Sequence, residues 1–311
     1  MKVCVTGGFG FIGSNLVDSL LAHGQTVLIV DDLSTGNKEN GISHKNRIDH
    51  IGDITQPITK RVIVDFAPEA IFHLAAQVSV RNSVADPIAD AHTNILGTIN
   101  VTKAAIESKT KHLIFSSSGG AIYGELAKGV NAATEKDQCD PDSPYGLAKF
   151  CGERYIQHLC ADYAIRPVFL RYANVYGPRQ DPHGEAGVVA IFANQMIKGE
   201  QTSINGSGEK TRDFVYVGDV VTANIAALRN TRSSGPINIG TNVETSISRL
   251  HSIMSKLTNY EKLEVHTQDK PGEQLRSCLS YDRANYKLEW KPSVTLNDGL
   301  EKTIEYFKAK H

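Results

Sequence analysis

The sequence predicts an α/β fold, doubly wound around a mostly parallel sheet, with a smaller C-terminal lobe. In the first half, short apolar β-branched runs alternate with helical patterns. Alternation of this kind predicts a parallel sheet covered by helices on both faces. After Arg171 the loops lengthen, notably at 174–187 and 205–212, and the strands become shorter. We therefore expect two parts, 1–172 and 173–311, with an approximate boundary that strands are free to cross.

Composition narrows the class of protein. The chain has 311 residues, 41% of them apolar and 22% charged, with a net charge of −1. These values are typical of a soluble globular protein, and they provide no overall field that would favour nucleic acid or an anionic membrane. The five cysteines lack CxxC spacing, so we expect reduced thiols and a cytoplasmic protein without a signal peptide. The histidines lack paired ligand spacing, so no metal is expected, and His73 is predicted to be a core residue.

The first forty residues carry the strongest pattern. An apolar strand at Val3–Val5 is followed by Gly7, Gly10 and Gly13, which open a helix from Phe11 to Ala22. A glycine-rich turn from strand to helix presents backbone N–H groups and a helix dipole to a phosphate. The next strand, Thr26–Val30, ends in Asp31, which is placed to accept hydrogen bonds from an adenosine ribose. Together these features predict a dinucleotide-binding Rossmann unit.

The following elements continue the same rhythm. Further strands are predicted at 48–51, 70–73, 112–115, 167–171, 213–217 and 236–239. Helices are predicted at 59–66, 86–108 and 143–163, and a serine-rich loop is predicted at 116–124. Pro87 and Pro144 lie early in their helices, where proline is tolerated.

A second motif carries the chemistry. Tyr145 and Lys149 lie four residues apart on a predicted helix and so share one face. A nearby ammonium lowers the pKa of a phenol, which prepares the tyrosine to exchange a proton with a sugar hydroxyl. A serine of the preceding loop could hydrogen-bond the reacting oxygen. Either Ser117 or Ser118 fits this role, and Ser118 is favoured.

With these motifs, the chain resembles the extended short-chain dehydrogenase/reductase family, the NAD-dependent epimerases and dehydratases. Its nearest resemblance is to the nucleotide-sugar 4-epimerases of the UDP-glucose and UDP-N-acetylglucosamine type. The resemblance covers nearly the whole chain. Besides the glycine turn, the serine loop and the Tyr/Lys pair, it rests on the segments 31–36, 52–54, 73–76, 171–179, 212–220, 271–273 and 288–292.

The resemblance implies a mechanism with NAD as the cofactor. Tyr145 would take the proton of the sugar 4-hydroxyl while NAD accepts hydride from C4, and Lys149 would hold the nicotinamide ribose. The transient 4-keto sugar would turn over and regain hydride on its other face. Asp31 fits NAD rather than NADP, because a 2′-phosphate would be repelled. The family also implies a homodimer formed through the long helices at 86–108 and 143–163.

The resemblance also implies which residues bind. Those expected to contact the cofactor are Gly7, Gly10, Phe11, Ile12, Asp31, Asp32, Leu33, Ser34, Thr35, Gly36, Asp53, Ile54, Leu74, Ala75, Ala76, Gln77, Asn94, Ser116, Tyr145, Lys149 and Tyr172. Those expected to contact the UDP-sugar are Ser118, Tyr145, Asn174, Val188, Val189, Arg212, Arg276 and Ser277. Arg212 is the favoured diphosphate ligand. Lys270 precedes Pro271–Glu273 where relatives often carry arginine, so its role is open.

Two features separate the chain from its nearest rivals. Gly119 and Gly120 stand where 4,6-dehydratases carry an Asp-Glu pair and decarboxylases keep a glutamate, which disfavours both activities. A UDP-uronate 4-epimerase remains an alternative, as does a non-catalytic NAD-binding protein, although retention of Tyr145 and Lys149 argues against the latter.

Ser277 replaces a bulky tyrosine of glucose-only relatives, so we expect room for an N-acetyl group at C2.

Overall fold

The computed structural model describes residues 1–183, 187–269 and 274–310. Its strands are β1 (Lys2–Thr6), β2 (Thr26–Asp31), β3 (Arg47–Ile51), β4 (Ala70–His73), β5 (His112–Ser118), β6 (Arg166–Tyr172), β7 (Asn174–Tyr176), β8 (Ser203–Asn205), β9 (Thr211–Tyr216), β10 (Gly235–Ile239), β11 (Glu244–Ser246) and β12 (Val265–Thr267).

The helices lie between these strands. They are α1 (Phe11–Ala22), α2 (Pro57–Phe66), α3 (Val80–Ala85), α4 (Pro87–Ala91), α5 (Thr98–Glu107), α6 (Gly119–Ile122), α7 (Pro144–Leu159), α8 (Val188–Ile197), α9 (Val217–Arg229), α10 (Ile247–Thr258), α11 (Asp282–Leu288) and α12 (Leu296–Lys310). A short 3-10 turn covers Lys38–Asn40, and a π-helical segment covers His92–Gly97.

Seven strands form one fully parallel sheet in the order β10-β6-β5-β4-β1-β2-β3. The chain starts at β1 and runs outward through β2 and β3, then returns to β4 on the other side of β1. A crevice forms beyond the carboxyl ends of the strands at such a reversal, and this is where ligands of open α/β sheets bind.

Side chains of the sheet alternate between two buried cores, as the strand period requires. Val3 and Val5 face the core that α1 and α9 cover, whereas Cys4 faces the core that α2, α5 and α7 cover. Helices thus lie on both faces, which confirms the predicted doubly wound fold. His73, at the end of β4, is buried between the hydroxyls of Thr6 and Thr98, so its prediction as a core residue is also confirmed.

The second half builds a lobe on this unit and also completes its sheet. A small sheet of β11, β9 and β7, the β8/β12 pair and the helices α8, α10 and α12 enclose a third core around Tyr176, Phe192 and Phe214. However, β10 pairs with β6, and α9 packs on α1. The crossing that the sequence analysis allowed at residue 172 is therefore present, while the division into two domains stays a prediction.

Three predicted elements differ from the structure. The loop predicted at 116–124 is wrong in its first part, because Ser116–Ser118 still pair with β6 and α6 follows directly. The single helix predicted at 86–108 is divided into α4, the π-helical segment and α5. The helix predicted to reach Tyr163 ends at Leu159.

Candidate active site

The turn between β1 and α1 is built by glycines in close contact. Gly7 has a φ of +71°, and a Cβ on it would lie 2.7 Å from the backbone nitrogen of Ala75 in the loop after β4. A Cβ on Gly13 would overlap the carbonyl oxygen of Gly7. Gly10 forms the N-cap of α1 and uses no side chain to cap it. The helix N-terminus therefore reaches the crevice with bare backbone, which fits a pyrophosphate.

Asp31 closes β2 beside this turn. It is buried, and its two carboxylate oxygens accept the backbone N–H groups of Phe9 and Leu33, each at 2.9 Å. Burial raises the pKa of this carboxyl, and the backbone hydrogen bonds oppose that shift. Gly36 packs onto the same carboxylate, where a Cβ would lie 2.6 Å from Oδ1. The loop that runs through Asp32, Leu33, Ser34 and Thr35 thus curves around an acid, as a ribose site requires.

Two further loops line the crevice. Asp53 accepts the backbone N–H of Thr55, and Ile54 is buried against Gly97. The side-chain amide of Asn94 forms two hydrogen bonds with the backbone of Gln77, which lies in the loop after β4. Its Oδ1 accepts the Gln77 N–H at 3.0 Å, and its Nδ2 donates to the Gln77 carbonyl at 2.9 Å. Asn94 lies in the π-helical segment, a geometry that is frequent at functional sites. Asn94 therefore holds this loop against the π-helical segment.

Helix α7 carries the Tyr/Lys pair to the carboxyl end of β5. The Ser143 hydroxyl caps α7 by accepting the N–H of Gly146. Gly146 is packed so tightly against the carbonyl of Ala121 that a Cβ there would overlap it, and this brings Tyr145 close to the end of β5. The Lys149 Nζ donates to the Ser116 carbonyl at 3.0 Å and lies 6.0 Å from the centre of the Tyr145 ring. The Ser118 side chain lies beside the phenol of Tyr145 and favours its ionised form.

The protonation of this pair differs from the sequence prediction. Burial raises the pKa of Tyr145 to about 12, and the hydrogen bond from Ser118 opposes the shift. Burial lowers the pKa of Lys149 to about 8, and the negative charge of Asp90 opposes that shift. The expectation of a lowered tyrosine pKa is therefore wrong for the protein without its cofactor, because burial has the largest effect on the phenol and the negative charge of Asp90 adds to it.

The structure distinguishes the two candidate serines. The Ser117 hydroxyl is buried and donates to Glu153 Oε1 at 2.6 Å, on the side of the strand opposite to Ser118. Glu153 in turn forms a buried ion pair with Arg171, in which Oε2 accepts from the guanidinium at 2.6 Å. Ser117 thus belongs to a structural network, and the geometry favours Ser118 as the group that faces the reacting oxygen.

Two predicted substrate residues meet beside the double glycine. A Cβ on Gly120 would lie 3.5 Å from Asn174 Oδ1 and 3.8 Å from Ser277 Oγ. Asn174 begins β7, and Ser277 is held by a backbone bond to Thr211. The hydroxyl and the amide therefore lie next to the end of β5 that carries Ser118, within ordinary contact distance of a side chain at position 120.

The remaining predicted substrate residues are spread over the lobe. Arg212 of β9 and Arg276 lie on adjacent segments, since Thr211 and Arg276 form an isolated β-bridge. Arg276 pairs with Glu244, and the guanidinium of Arg212 donates to the Thr211 carbonyl.

Other assignments depend on burial. Val189 is turned into the core of the lobe, whereas Val188 is only half-buried at the start of α8. Tyr172 is buried, with its hydroxyl bonded to Asn224. Lys270 and Pro271–Glu273 lie outside the described residues.

Sequence reasoning missed two acids behind the site. Glu153 lies one helical turn beyond Lys149, and Asp90 lies one turn before Asn94. The four-residue spacing that drew attention to Tyr145 and Lys149 would have found both.

In the described part of the chain, no helix has the length and apolar character to cross a bilayer, and no cluster of His, Cys, Asp or Glu could hold a metal.

Comparison with known proteins agrees with this geometry. The model of the NAD-dependent epimerase/dehydratase family matches residues 3–240. The chain belongs to this family. It is an NAD-dependent epimerase, and the glycine turn with Asp31 beside it is a fitting site for NAD.

Individual members of the epimerase/dehydratase family match over the full length. A UDP-glucose 4-epimerase of Mycolicibacterium smegmatis is 41% identical, and the match covers 100% of this chain and 99% of the relative. The crystal structure of a UDP-glucose 4-epimerase with UDP-glucose from Thermotoga maritima is 44% identical, with a TM-score of 0.95 and coverage of 100% and 99%. A UDP-N-acetylglucosamine 4-epimerase of Methanobrevibacter ruminantium, in complex with UDP-N-acetylmuramic acid, is 33% identical, with a TM-score of 0.93 and the same coverage.

Proposed function

We propose that the protein is a 4-epimerase of UDP-hexoses, which interconverts UDP-glucose and UDP-galactose through a transient 4-keto sugar. The observation that carries this proposal is the position of Ser118 beside Tyr145 at the NAD crevice, where β5 continues into Gly119 and Gly120 rather than into acids. The similarity to UDP-glucose 4-epimerases supports the choice of sugar.

In this mechanism the protein handles a proton and holds two partners. When bound, NAD would supply hydride transfer from and back to C4. Tyr145, once ionised, takes the proton of the 4-hydroxyl as the C–H bond breaks, and it gives the proton back in the reverse step. Ser118 hydrogen-bonds the same oxygen. Lys149 keeps a positive charge beside the phenol, and the charge of the oxidised cofactor adds to it, so that both favour the phenolate that the chain alone disfavours.

The absence of acids in the loop argues against elimination or decarboxylation. The first glutamate after Ser118 is Glu125, and its carboxylate accepts the backbone N–H groups of Leu275 and Arg276 at 2.6 and 2.9 Å. It therefore acts as a brace between two loops. Tyr145 and Ser118 are the groups at the end of β5 and on α7 that can exchange a proton with the 4-hydroxyl, which is what an epimerase needs.

The experiment that tests this function is a substrate panel. The purified protein with NAD is incubated with UDP-glucose, UDP-N-acetylglucosamine, UDP-glucuronate and dTDP-glucose, and the products are identified by NMR and mass spectrometry. We expect an equilibrium of 4-epimers of unchanged mass from UDP-glucose. Loss of water, loss of CO₂ or turnover of UDP-glucuronate alone would replace the proposal with one of its rivals.

The small side chain of Ser277 favours a broader choice of sugar. Because Ser277 is small and lies near Asn174 and Gly120, we propose that UDP-N-acetylglucosamine is also accepted. Ser277→Tyr should remove turnover of the acetylated sugar and keep turnover of UDP-glucose, which serves as the control in the same variant. Equal exclusion of the acetylated sugar by wild type and variant would contradict this proposal.

We also propose that the enzyme works as a homodimer. Val84, Ile88 and Leu147 are 64%, 82% and 51% exposed, and they lie on α3, α4 and α7, which pack against one another. Burial of such apolar side chains on a second copy would stabilise a dimer. Ile88→Glu should give a monomer in light scattering, whereas Ile58→Glu, an equally apolar exposed position on α2, should not.

A further inference from the structure

Asp90 is a buried acid that the mechanism above does not use. It is 1% exposed, on the short helix α4 that packs against α7. Its Oδ1 accepts the side-chain amides of Gln77 and Asn94, at 2.8 and 2.9 Å. Its Oδ2 is equally buried but has no hydrogen-bond partner among the described residues. A carboxylate in this state is costly unless a positive charge stands near it.

Lys149 is the positively charged group whose electrostatic effect reaches Asp90. The ammonium is buried, and the hydrogen bond to the Ser116 carbonyl satisfies one of its three donors. Without a counter-charge, a lysine so buried would lose its proton near neutral pH. The negative charge of Asp90 raises the pKa of Lys149 against the effect of burial, and Lys149 lowers that of Asp90.

The other charged groups around Asp90 and Lys149 do not act as a counter-charge to either of them. On β4, His73 faces Lys149 but is fully buried, and burial lowers its pKa to about 3, so it stays neutral at working pH. On α7, Glu153 is committed to Arg171. Arg81 of α3 and His92 of the π-helical segment are exposed to solvent, which screens their charge.

We propose that Asp90 is a positioning residue that keeps Lys149 in its ammonium form and, through Gln77 and Asn94, fixes the loop over the nicotinamide. Oδ1 joins the loop after β4 to the π-helical segment. Oδ2 leaves buried negative charge on α4, the helix that packs against α7 with its Tyr145 and Lys149. The catalytic meaning of this inference rests on the proposed function, but the electrostatic effect does not.

The test is Asp90→Asn, which keeps an oxygen for Gln77 and Asn94 and removes only the charge. Loss of a negative charge lowers the pKa of both Lys149 and Tyr145. We therefore expect both limbs of the kcat/KM profile to move to lower pH, by about one unit, equivalent to about tenfold in the ratio of ammonium to amine at fixed pH. An unmoved profile would overturn the proposal.

A second readout does not need turnover. The ultraviolet absorbance of tyrosinate is titrated with NAD bound, and the spectrum of Tyr145→Phe is subtracted to isolate Tyr145. In the Asp90→Asn background the Tyr145 signal should emerge at lower pH, and an unchanged titration contradicts the proposal. Because this signal is independent of any sugar, failure of the proposed function and failure of this inference are distinguishable.

Two matched variants separate charge from structure. Asp86→Asn makes the same change at the N-cap of α4, where asparagine caps equally well and the group is exposed, so neither readout should move. Asp90→Glu keeps the charge and disturbs the two amide contacts, so it should raise KM for NAD and leave the pH profile in place. A shift in Asp90→Glu or in Asp86→Asn as large as that of Asp90→Asn would overturn the assignment. The Glu variant also serves if the Asn variant does not fold.

Discussion

Replacing each of two neighbouring serines by alanine should produce opposite phenotypes. Ser118→Ala removes a hydroxyl that contacts Tyr145. We expect kcat to fall by about 10²-fold, the lower range for loss of a proton-transfer partner, with little change in unfolding free energy. Ser117→Ala should leave kcat within a few-fold of wild type.

The cost of Ser117→Ala is expected in stability. The lost hydrogen bond is short, at 2.6 Å, and its acceptor is a buried carboxylate that also serves Arg171. A hydrogen bond to a charged group contributes about 1.5–3 kcal/mol, and the acceptor here has no water to replace the donor. We therefore expect the free energy of unfolding to drop by about 2 kcal/mol.

The assay compares both variants by urea unfolding, followed by circular dichroism, and by initial rates with UDP-glucose. Each variant serves as the control for the other, because the substitution is identical and the positions are adjacent. If Ser117→Ala lost activity while retaining full stability, Ser117 would be the catalytic hydroxyl and the assignment from the buried network would be refuted.

Three further predictions concern the groups around this strand. Tyr145→Phe should lower kcat at least 10²-fold and leave NAD bound, as measured by rates and by NAD retained after gel filtration; undiminished turnover would assign the chemistry to another group. Glu153→Gln leaves the buried Arg171 unpaired and should cost about 3–5 kcal/mol in urea unfolding, whereas Glu153→Met with Arg171→Met should recover most of that loss; equal losses would contradict the ion-pair argument. Burial lowers the pKa of His73 from 6.5 to about 3 in the folded protein. Between these pH values the unfolded chain binds a proton at this histidine and the native state does not. The stability from His73 is complete above pH 6.5 and declines toward pH 3, and His73→Gln should flatten that decline in unfolding titrations.

The sequence predicted the sheet well because its strands are fully buried. Runs such as Val3–Val5 and Ala70–His73 are apolar on both faces, and few other structures accommodate them. The glycine turn and the position of Asp31 at the end of β2 were also predictable, because both depend on local backbone geometry. The extension of β5 through Ser118 was not, because three serines have no strand preference and only the pairing with β6 holds them there.

Burial and long-range contacts also limited what could be predicted from the sequence about the charged groups of the site. The sequence shows Tyr145 beside Lys149, but it does not show how much water the fold removes from both, and that loss sets the direction of their pKa values. The role of Ser117 depends on Glu153 and Arg171, which lie far along the chain and meet only in the folded protein. A serine in a loop-like run gives no sign of such a partner.

The place of β10 at the edge of the large sheet has a consequence for how the chain can be divided. β10 at 235–239 and the helix α9 before it are synthesised after β6, the strand that β10 pairs with. A fragment that stops at residue 172 would leave β6 with an unpaired backbone edge and α1 with a bare apolar side, both of which promote self-association. We therefore expect that the NAD-binding half does not fold as a separate unit, and that a fragment for binding studies or domain exchange has to extend at least through β10.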